Sequence, residues 1–148
     1  HVRLVIYTRA PIDPAFRAEF RNLDVEIKAG LSNAQLAEDI VRADVMALPS
    51  IAEGFGLAIL EAMACGVPVI CTDNTGGADL ITDGQDGFVT PIRDVAALKQ
   101  LFELGLADRA RFYEIGQAAR KVAESLTWAR YRAGFAAAYQ ALLEEAQL

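Results

Sequence analysis

The sequence predicts an α/β fold in which a parallel sheet carries helices on both faces. Five short β-rich runs alternate with segments of helical spacing over the first ninety residues, and only helical patterns follow. Strands joined by helices in this order run parallel, because each helix crosses back over the sheet. At 148 residues the chain has the length of one domain.

Hydrophobic spacing and capping residues define the elements in order. The β-rich runs predict strands over residues 2–8, 25–28, 44–48, 67–71 and 88–90. Helical spacing predicts helices over residues 14–23, 57–65, 77–81, 95–106, 107–126 and 128–143, and Ser32 or Asn33 can cap a further helix up to Val41. The last helix is amphipathic, and we expect it to pack on the rest of the chain.

Composition limits the functional classes. The formal charge of −6 and the scattered Lys and Arg residues argue against a nucleic-acid-binding protein, and no apolar run reaches the roughly 18 residues that cross a bilayer. Cys65 and Cys71 have no partner at metal-ligand spacing, so we interpret both as small core residues and expect no metal site. Unpaired cysteines imply a reducing compartment, so we expect a cytoplasmic location. His1 is the only histidine, so catalysis that needs a histidine base cannot be completed within this chain.

Glu61 lies in a predicted helix that is otherwise apolar on every face, a pattern typical of a buried helix. Burying an ionised group without partners costs several kcal/mol. We therefore expect Glu61 either to meet a donor from the protein or to lie at a pocket where a ligand supplies the donors.

Gly54 and Gly56 flank Phe55 directly before that helix. Glycines let backbone amides approach an anion, and a helix N-terminus favours negative charge, although the same pattern is typical of any tight strand-to-helix turn. Glu53 favours binding, because a carboxylate beside a phosphate is repelled unless it faces sugar hydroxyls or a cation. Glu61 can accept hydrogen bonds from two neighbouring ribose hydroxyls. These residues outline a site for a nucleotide joined to a sugar.

Two long motifs resemble a known family. They read Pro49-Ser50-Ile51-Ala52-Glu53-Gly54-Phe55-Gly56-Leu57 and Leu60-Glu61-Ala62-Met63-Ala64-Cys65-Gly66-Val67-Pro68-Val69-Ile70. The resemblance extends to Ala43-Asp44-Val45, Gly76-Gly77, Asp86-Gly87-Phe88 and Trp128. The chain resembles the donor-binding, carboxyl-terminal half of the GT-B retaining glycosyltransferases of group 1 (glycosyltransferase family 4), whose domain is Rossmann-like.

The resemblance implies a role for each matching residue. Glu61 would hold the ribose of a nucleotide-diphosphate sugar, the co-substrate, and Glu53 would be the catalytic residue that meets the donor sugar. Backbone amides would cradle the sugar and the diphosphate, namely those of Gly54, Phe55, Gly56 and Leu57. Gly30, in the loop after the second strand, would lie against the nucleotide base. No metal and no cofactor is implied.

The sequence departs from the family pattern at two places. Asp79 stands where the family usually has a glutamate. The Arg and Lys with which the family binds the diphosphate belong to a segment before His1. Arg9 either takes their place or is an ordinary loop arginine. We therefore expect residues 1–148 to be one nucleotide-sugar-binding domain cut from a longer protein, without its first strand and its N-terminal acceptor domain. That absent domain would bind the acceptor, a sugar, lipid or glycan, so the isolated chain should be inactive.

Other patterns have ordinary interpretations. The acidic, glycine-containing segment 83–87 lacks the spacing of a calcium loop and predicts a turn. Ser50 has no histidine partner, so we do not expect a nucleophile there. Asp73, Asn74 and Thr75 follow a strand, where they either contact the donor or simply form the turn.

Two other functions stay open at this stage. A nucleotide-sugar epimerase of the same architecture would release a free epimerised sugar, whereas a transferase would leave the sugar on an acceptor. A non-catalytic nucleotide-binding module would show no turnover and no requirement for the ribose hydroxyls.

Overall fold

The computed structural model describes residues 2–8 and 11–146, in which strands and helices alternate as the sequence predicts. The strands are β1 (Leu4–Tyr7), β2 (Val25–Lys28), β3 (Met46–Leu48), β4 (Val69–Thr72) and β5 (Phe88–Thr90). The helices are α1 (Pro14–Glu19), α2 (Asn33–Ile40), α3 (Leu57–Ala64), α4 (Gly77–Leu80), α5 (Val95–Ala107), α6 (Arg109–Ser125) and α7 (Trp128–Ala146). Every predicted element is present, with ends that differ by a few residues.

The chain divides into two compact units, residues 1–38 and 39–148, with the boundary inside α2. In the first unit β1 and β2 pair in parallel, from Leu4 opposite Val25 to Tyr7 opposite Lys28. Helix α1 begins where the Asp13 carboxylate accepts the Ala15 amide at 2.7 Å. The expectation of a single domain stays a prediction.

The second unit contains a parallel sheet in the order β3-β4-β5. All four residues of β4, the middle strand, are buried. Ile70 on β4, Phe88 on β5 and Phe112 on α6 share one core cluster, with the two phenyl rings stacked 5.2 Å apart. The protein thus has an α/β fold with parallel strands, and its five described strands hydrogen-bond as two sheets, one in each unit.

The cysteines differ in their surroundings. Cys71 on β4 is buried, as predicted for a core residue, and burial raises the pKa of its thiol. Cys65, the C-terminal cap residue of α3, is only half-buried, which corrects its predicted core position.

Helix α3 is followed by its cap residue Cys65 and then by Gly66, whose φ of +75° is left-handed. The amide of Val67 donates to Ala62 O at 3.0 Å and the amide of Gly66 donates to Met63 O at 2.9 Å, which satisfies the last carbonyls of the helix. Gly116 of α6 lies directly against this turn, where a Cβ atom would overlap Gly66 O. The α3–α6 contact is therefore a close backbone approach.

The segment 83–87 is a turn, which confirms its predicted role. The Asp83 carboxylate accepts the Val89 amide at 2.9 Å, and the Asp86 carboxylate accepts the Thr82 amide at 2.8 Å. Asp83 thus binds the backbone of β5, an outer strand of the sheet, and Asp86 binds the backbone at the start of the turn.

Helix α7 is exposed along its described length, and none of its described residues is buried. The rings of Trp128, Tyr131 and Phe135 contact one another in sequence, with centroid distances of 5.8 and 6.4 Å, and are 62–74% exposed. The prediction that this helix packs on the rest of the chain is wrong for this structure, because apolar spacing predicts an amphipathic helix but not the surface that covers it. Within residues 2–8 and 11–146, none of the helices is long and apolar enough to cross a membrane.

Candidate functional site

The candidate site is built on residues 49–56, here called the Glu53 loop, which connect the end of β3 to the start of α3. Because β3 and β4 are parallel neighbours, the residues that follow both strands lie at the same edge of the sheet. The segment after β4, residues 73–76, is here called the β4 turn. Loop and turn meet at that edge.

Three hydrogen bonds hold the Glu53 loop. The Thr72 hydroxyl donates to Ser50 O, and the Asn74 side-chain amide donates to Ile51 O at 2.9 Å. In the opposite direction, the Glu53 amide donates to Asn74 O at 3.3 Å. The backbone of the loop is therefore fixed by the end of β4 and the β4 turn.

Gly76 brings the two segments into direct contact. A Cβ atom at Gly76 would lie 2.5 Å from Phe55 O and 2.8 Å from Phe55 Cδ2, closer than any side chain allows. The second glycine of the Gly-Gly pair, Gly77, is equally enclosed, since a Cβ there would overlap Cys71 Sγ. The motif Gly76-Gly77 is thus required for the loop to pack on the turn.

The Glu53 side chain is exposed at this edge and folds back on its own loop. Its Oε1 accepts the Gly54 amide at 3.2 Å. Gly56 has a left-handed φ of +77°, and a Cβ there would press on Ile59 Cδ1 at 3.1 Å and Leu48 Cδ2 at 3.3 Å. The sharp turn at Gly56 therefore directs the chain into α3.

The N-terminus of α3 is open. Gly56 supplies no side-chain cap, and the first turn contains no acidic residue. Within the described residues the amides of Leu57 and Ala58 have no hydrogen-bond acceptor, while the Ile59 amide donates to Gly56 O at 2.8 Å. Uncapped amides at the positive end of a helix can bind an anion such as phosphate.

Glu61 is exposed, which corrects the expectation that α3 is buried on all sides. One face of α3 packs inward through Ile59, Ala62 and Met63, whereas Leu57 and Glu61 share the exposed stripe. An all-apolar sequence does not require burial here, because leucine and alanine also occur on surfaces. In the described part of the chain the Glu61 carboxylate has no ion pair or hydrogen bond. It is thus free to accept hydrogen bonds from a ligand.

The residues of the β4 turn have partners within the protein. The Asp73 carboxylate accepts the Ile92 amide at 3.1 Å, and the buried Thr75 hydroxyl donates to Thr72 O at 2.8 Å. Together with the contacts of Asn74, these bonds favour a structural role for the turn over direct contact with a donor. Sequence reasoning did not single out Thr72, although a polar residue closing a buried strand beside the glycine loop is a signal that could have found it.

The remaining predicted residues are placed as follows. Gly30 lies in a bend after β2 with φ of +70°, in the unit of residues 1–38. Asp79 is exposed in the first turn of α4. Arg9 lies outside the described residues. Among residues 2–8 and 11–146, no group of three or more His, Cys, Asp or Glu side chains is arranged to hold a metal ion.

A sequence profile identifies the family. The profile described as "Glycosyl transferases group 1" matches residues 16–122, which include the Glu53 loop, α3 and the β4 turn. The chain belongs to the group 1 glycosyltransferases. Its fold class and its family resemblance are both confirmed.

Sequences of named glycosyltransferases agree with this assignment. The chain is 36% identical over 111 residues to EpsD of Bacillus subtilis (strain 168), a match that covers 75% of this chain and 29% of EpsD. It is 35% identical over 95 residues to the D-inositol 3-phosphate glycosyltransferase of Gordonia bronchialis, covering 64% of this chain and 21% of the relative. The chain therefore spans about a quarter of the length of these relatives.

Solved structures share the fold. The match to sucrose-phosphate synthase from Thermosynechococcus elongatus covers 97% of this chain and 39% of the synthase chain, with a TM-score of 0.78 and 27% identity. Anabaena HepE, crystallised in complex with UDP-glucose, matches 75% of this chain and 31% of its own, with a TM-score of 0.67 and 25% identity. This group 1 glycosyltransferase chain thus has the α/β fold of the matching part of known GT-B enzymes.

Proposed function

We propose that this chain is the donor-binding domain of a retaining glycosyltransferase, which moves a hexose from a nucleotide-diphosphate sugar to an acceptor hydroxyl. One observation carries the proposal: the uncapped N-terminus of α3 lies between two exposed carboxylates, Glu53 before it and Glu61 one turn after it. The site thus combines donors for an anion with acceptors for hydroxyl groups on either side. A nucleotide-diphosphate sugar has the same order of groups.

The diphosphate is proposed to bind the open amides of α3. The N–H groups of Leu57 and Ala58 have no acceptor among the described residues, and the helix dipole adds about 0.3–1 kcal/mol for an anion at an exposed end. Gly54 allows close approach, since a Cβ at this position would contact nothing within 4 Å. The amides from Gly54 to Leu57 would then meet the sugar and the diphosphate.

Glu61 is proposed to bind the ribose. Glu61 follows Leu57 by four residues on the same exposed stripe, so its Cα lies about 6 Å further along the axis of α3. A carboxylate can accept hydrogen bonds from two adjacent hydroxyls at once. Its lack of a partner in the described residues supports this role. The assignment of Gly30 to the nucleotide base stays a prediction from the family resemblance.

Glu53 is proposed as the catalytic residue that faces the donor sugar. Among the described residues its carboxylate accepts a hydrogen bond only from the neighbouring Gly54 amide, at 3.2 Å, so it can turn to a sugar hydroxyl or to positive charge on the sugar ring. As the bond from the sugar to the diphosphate breaks, negative charge develops on the leaving group and positive charge on the sugar. Preorganised amides and a carboxylate stabilise these charges. The complex of HepE with UDP-glucose supports a donor of this chemical class.

A thermal-shift screen of the chain with UDP-, GDP- and ADP-sugars tests the proposal. A ligand that binds only the folded state, at about a hundred times its Kd, raises the free energy of unfolding by about 2.7 kcal/mol. We expect one nucleotide class to raise the melting temperature, and its 2′- and 3′-deoxy analogues to raise it less. No shift with any of the three classes would contradict the proposal.

A further inference from the structure

The backbone of the Glu53 loop is held in place by hydrogen bonds to another segment, the end of β4 and the β4 turn. The carbonyls of Ser50 and Ile51 are taken by side chains from the β4 end of the sheet, and the Glu53 amide by a carbonyl from the β4 turn. We infer that Thr72 and Asn74 are positioning residues, which set the location of the Glu53 carboxylate toward the donor sugar. This inference rests on the proposed function.

Thr72 connects the loop to the core. It is the last residue of β4 and only 2% exposed, and its hydroxyl donates to Ser50 O. Because β4 is buried along its whole length, Thr72 cannot shift without disturbing the sheet. The Thr72 hydroxyl therefore fixes the start of the Glu53 loop relative to the sheet.

Asn74 holds the loop from both directions. Its side chain donates to Ile51 O at 2.9 Å and its carbonyl accepts the Glu53 amide at 3.3 Å. Asn74 therefore spans the segment that ends at the proposed catalytic residue. Close contact between Gly76 and Phe55 prevents the loop from sliding over the turn.

The turn is itself anchored on its far side. The Asp73 amide donates to Thr90 O at 2.9 Å, and the Asp73 carboxylate accepts the Ile92 amide at 3.1 Å. These bonds tie the turn to the end of β5. The position of Glu53 is thus determined through a continuous set of contacts from β5, through the β4 turn, to the loop.

The first test compares four variants by amide hydrogen exchange over residues 50–56. Thr72→Val removes the hydroxyl at nearly constant volume, Thr72→Ser keeps it, and Asn74→Ala removes the side-chain donor. The matched control is Thr90→Val, because the buried Thr90 hydroxyl donates to Cys71 O at 3.3 Å and the substitution leaves in place the Thr90 carbonyl that accepts the Asp73 amide. We expect faster exchange over residues 50–56 in Thr72→Val and Asn74→Ala only. Equal exchange in Thr72→Val and Thr90→Val would overturn the inference.

The second test measures Kd by calorimetry for UDP-glucose, GDP-mannose and ADP-glucose, and for the matching nucleoside diphosphates. Loss of one loop hydrogen bond should raise the Kd of the nucleotide sugar by about threefold to tenfold. The Kd of the nucleoside diphosphate should rise less, because Glu53 faces the sugar. Thr72→Ser should restore binding. Equal weakening of both ligands, or none, would overturn the positioning role. If none of the three sugars binds the parent chain, the proposed function fails, while hydrogen exchange still decides whether Thr72 and Asn74 hold the loop.

Discussion

Gly56 is the residue at which the loop becomes a helix, and its left-handed backbone requires glycine. We predict that Gly56→Ala lowers the free energy of unfolding by about 1–3 kcal/mol, because an L-residue is strained at this φ and its Cβ would press on Ile59. Urea denaturation measures the change. Gly54→Ala is the control, since its Cβ meets open space, and we expect it to change stability by less than about 0.5 kcal/mol. Equal effects of the two substitutions would contradict this account of the turn.

Glu61 gives a second prediction at the residue scale, this time for binding. Removing a charged partner from a ligand hydrogen bond costs about 1.5–3 kcal/mol, so Glu61→Ala should weaken nucleotide binding by about tenfold or more. Stability should change little because the side chain is exposed. Calorimetry with the parent chain and with Glu114→Ala, another exposed helical glutamate, provides the comparison. Unchanged affinity in Glu61→Ala would exclude the ribose assignment.

The role of Glu61 in binding a ligand stays a prediction, whereas its predicted burial is wrong. A single charge in an apolar helix predicted either a donor from the protein or a ligand, and within the described residues the Glu61 carboxylate has no protein partner. Its burial was predicted wrongly, because helix composition does not tell which face meets the core. The conformation of Glu53, with its carboxylate on the Gly54 amide, has no sequence signal because it depends on the local turn.

Helices α3 and α6 depend on a contact between two glycines, Gly66 and Gly116. We predict that Gly116→Ala lowers stability by about 1–3 kcal/mol, because the new methyl group would overlap Gly66 O and separate the helices. Gly134→Ala is the matched control, another glycine inside a helix but with open space around it. It should stabilise the chain by about 0.5–1 kcal/mol through helix propensity. Thermal denaturation should show a lower melting temperature for Gly116→Ala and a higher one for Gly134→Ala. A change of the same sign in both variants would contradict the close approach of the two backbones.

At the scale of elements, the alternation of strands and helices was predictable because hydrophobic periodicity is local. The three-residue strand β5 was predicted with its observed bounds, since Phe88 and Thr90 follow a glycine turn. Two features were not predictable in the same way. The exposure of α7 depends on the surface available to it, and the extension of β4 to Thr72 depends on pairing with Thr90 across the sheet.

For the whole molecule, we predict that donor binding does not depend on a divalent ion. The described residues contain no cluster of three or more potential metal ligands, and the proposed partners of the two glutamates are hydroxyl groups. Calorimetric titration with EDTA and then with magnesium should give Kd values that agree within about twofold. A loss of affinity in EDTA that magnesium restores would contradict this prediction.

We further predict that the 148-residue chain binds its donor but transfers no sugar. The chain spans 21–29% of the first relatives, and we propose that acceptor groups lie on other parts of such longer proteins. Incubation with radiolabelled donor and acceptor extract, beside a longer natural polypeptide containing this chain, measures transfer. Comparable turnover by both polypeptides would show that this chain holds a complete active site.

The carboxylate of Asp83 has a consequence for the whole molecule beyond the turn that it forms. By accepting the Val89 amide, it occupies a main-chain donor of β5, an outer strand of the three-stranded sheet. Pro91, just after β5, has no amide hydrogen to donate. Strands of other molecules add to a sheet through such free edge donors, which is how β-aggregates start. The Asp83 carboxylate thus removes one main-chain donor through which a strand of another molecule could extend this sheet.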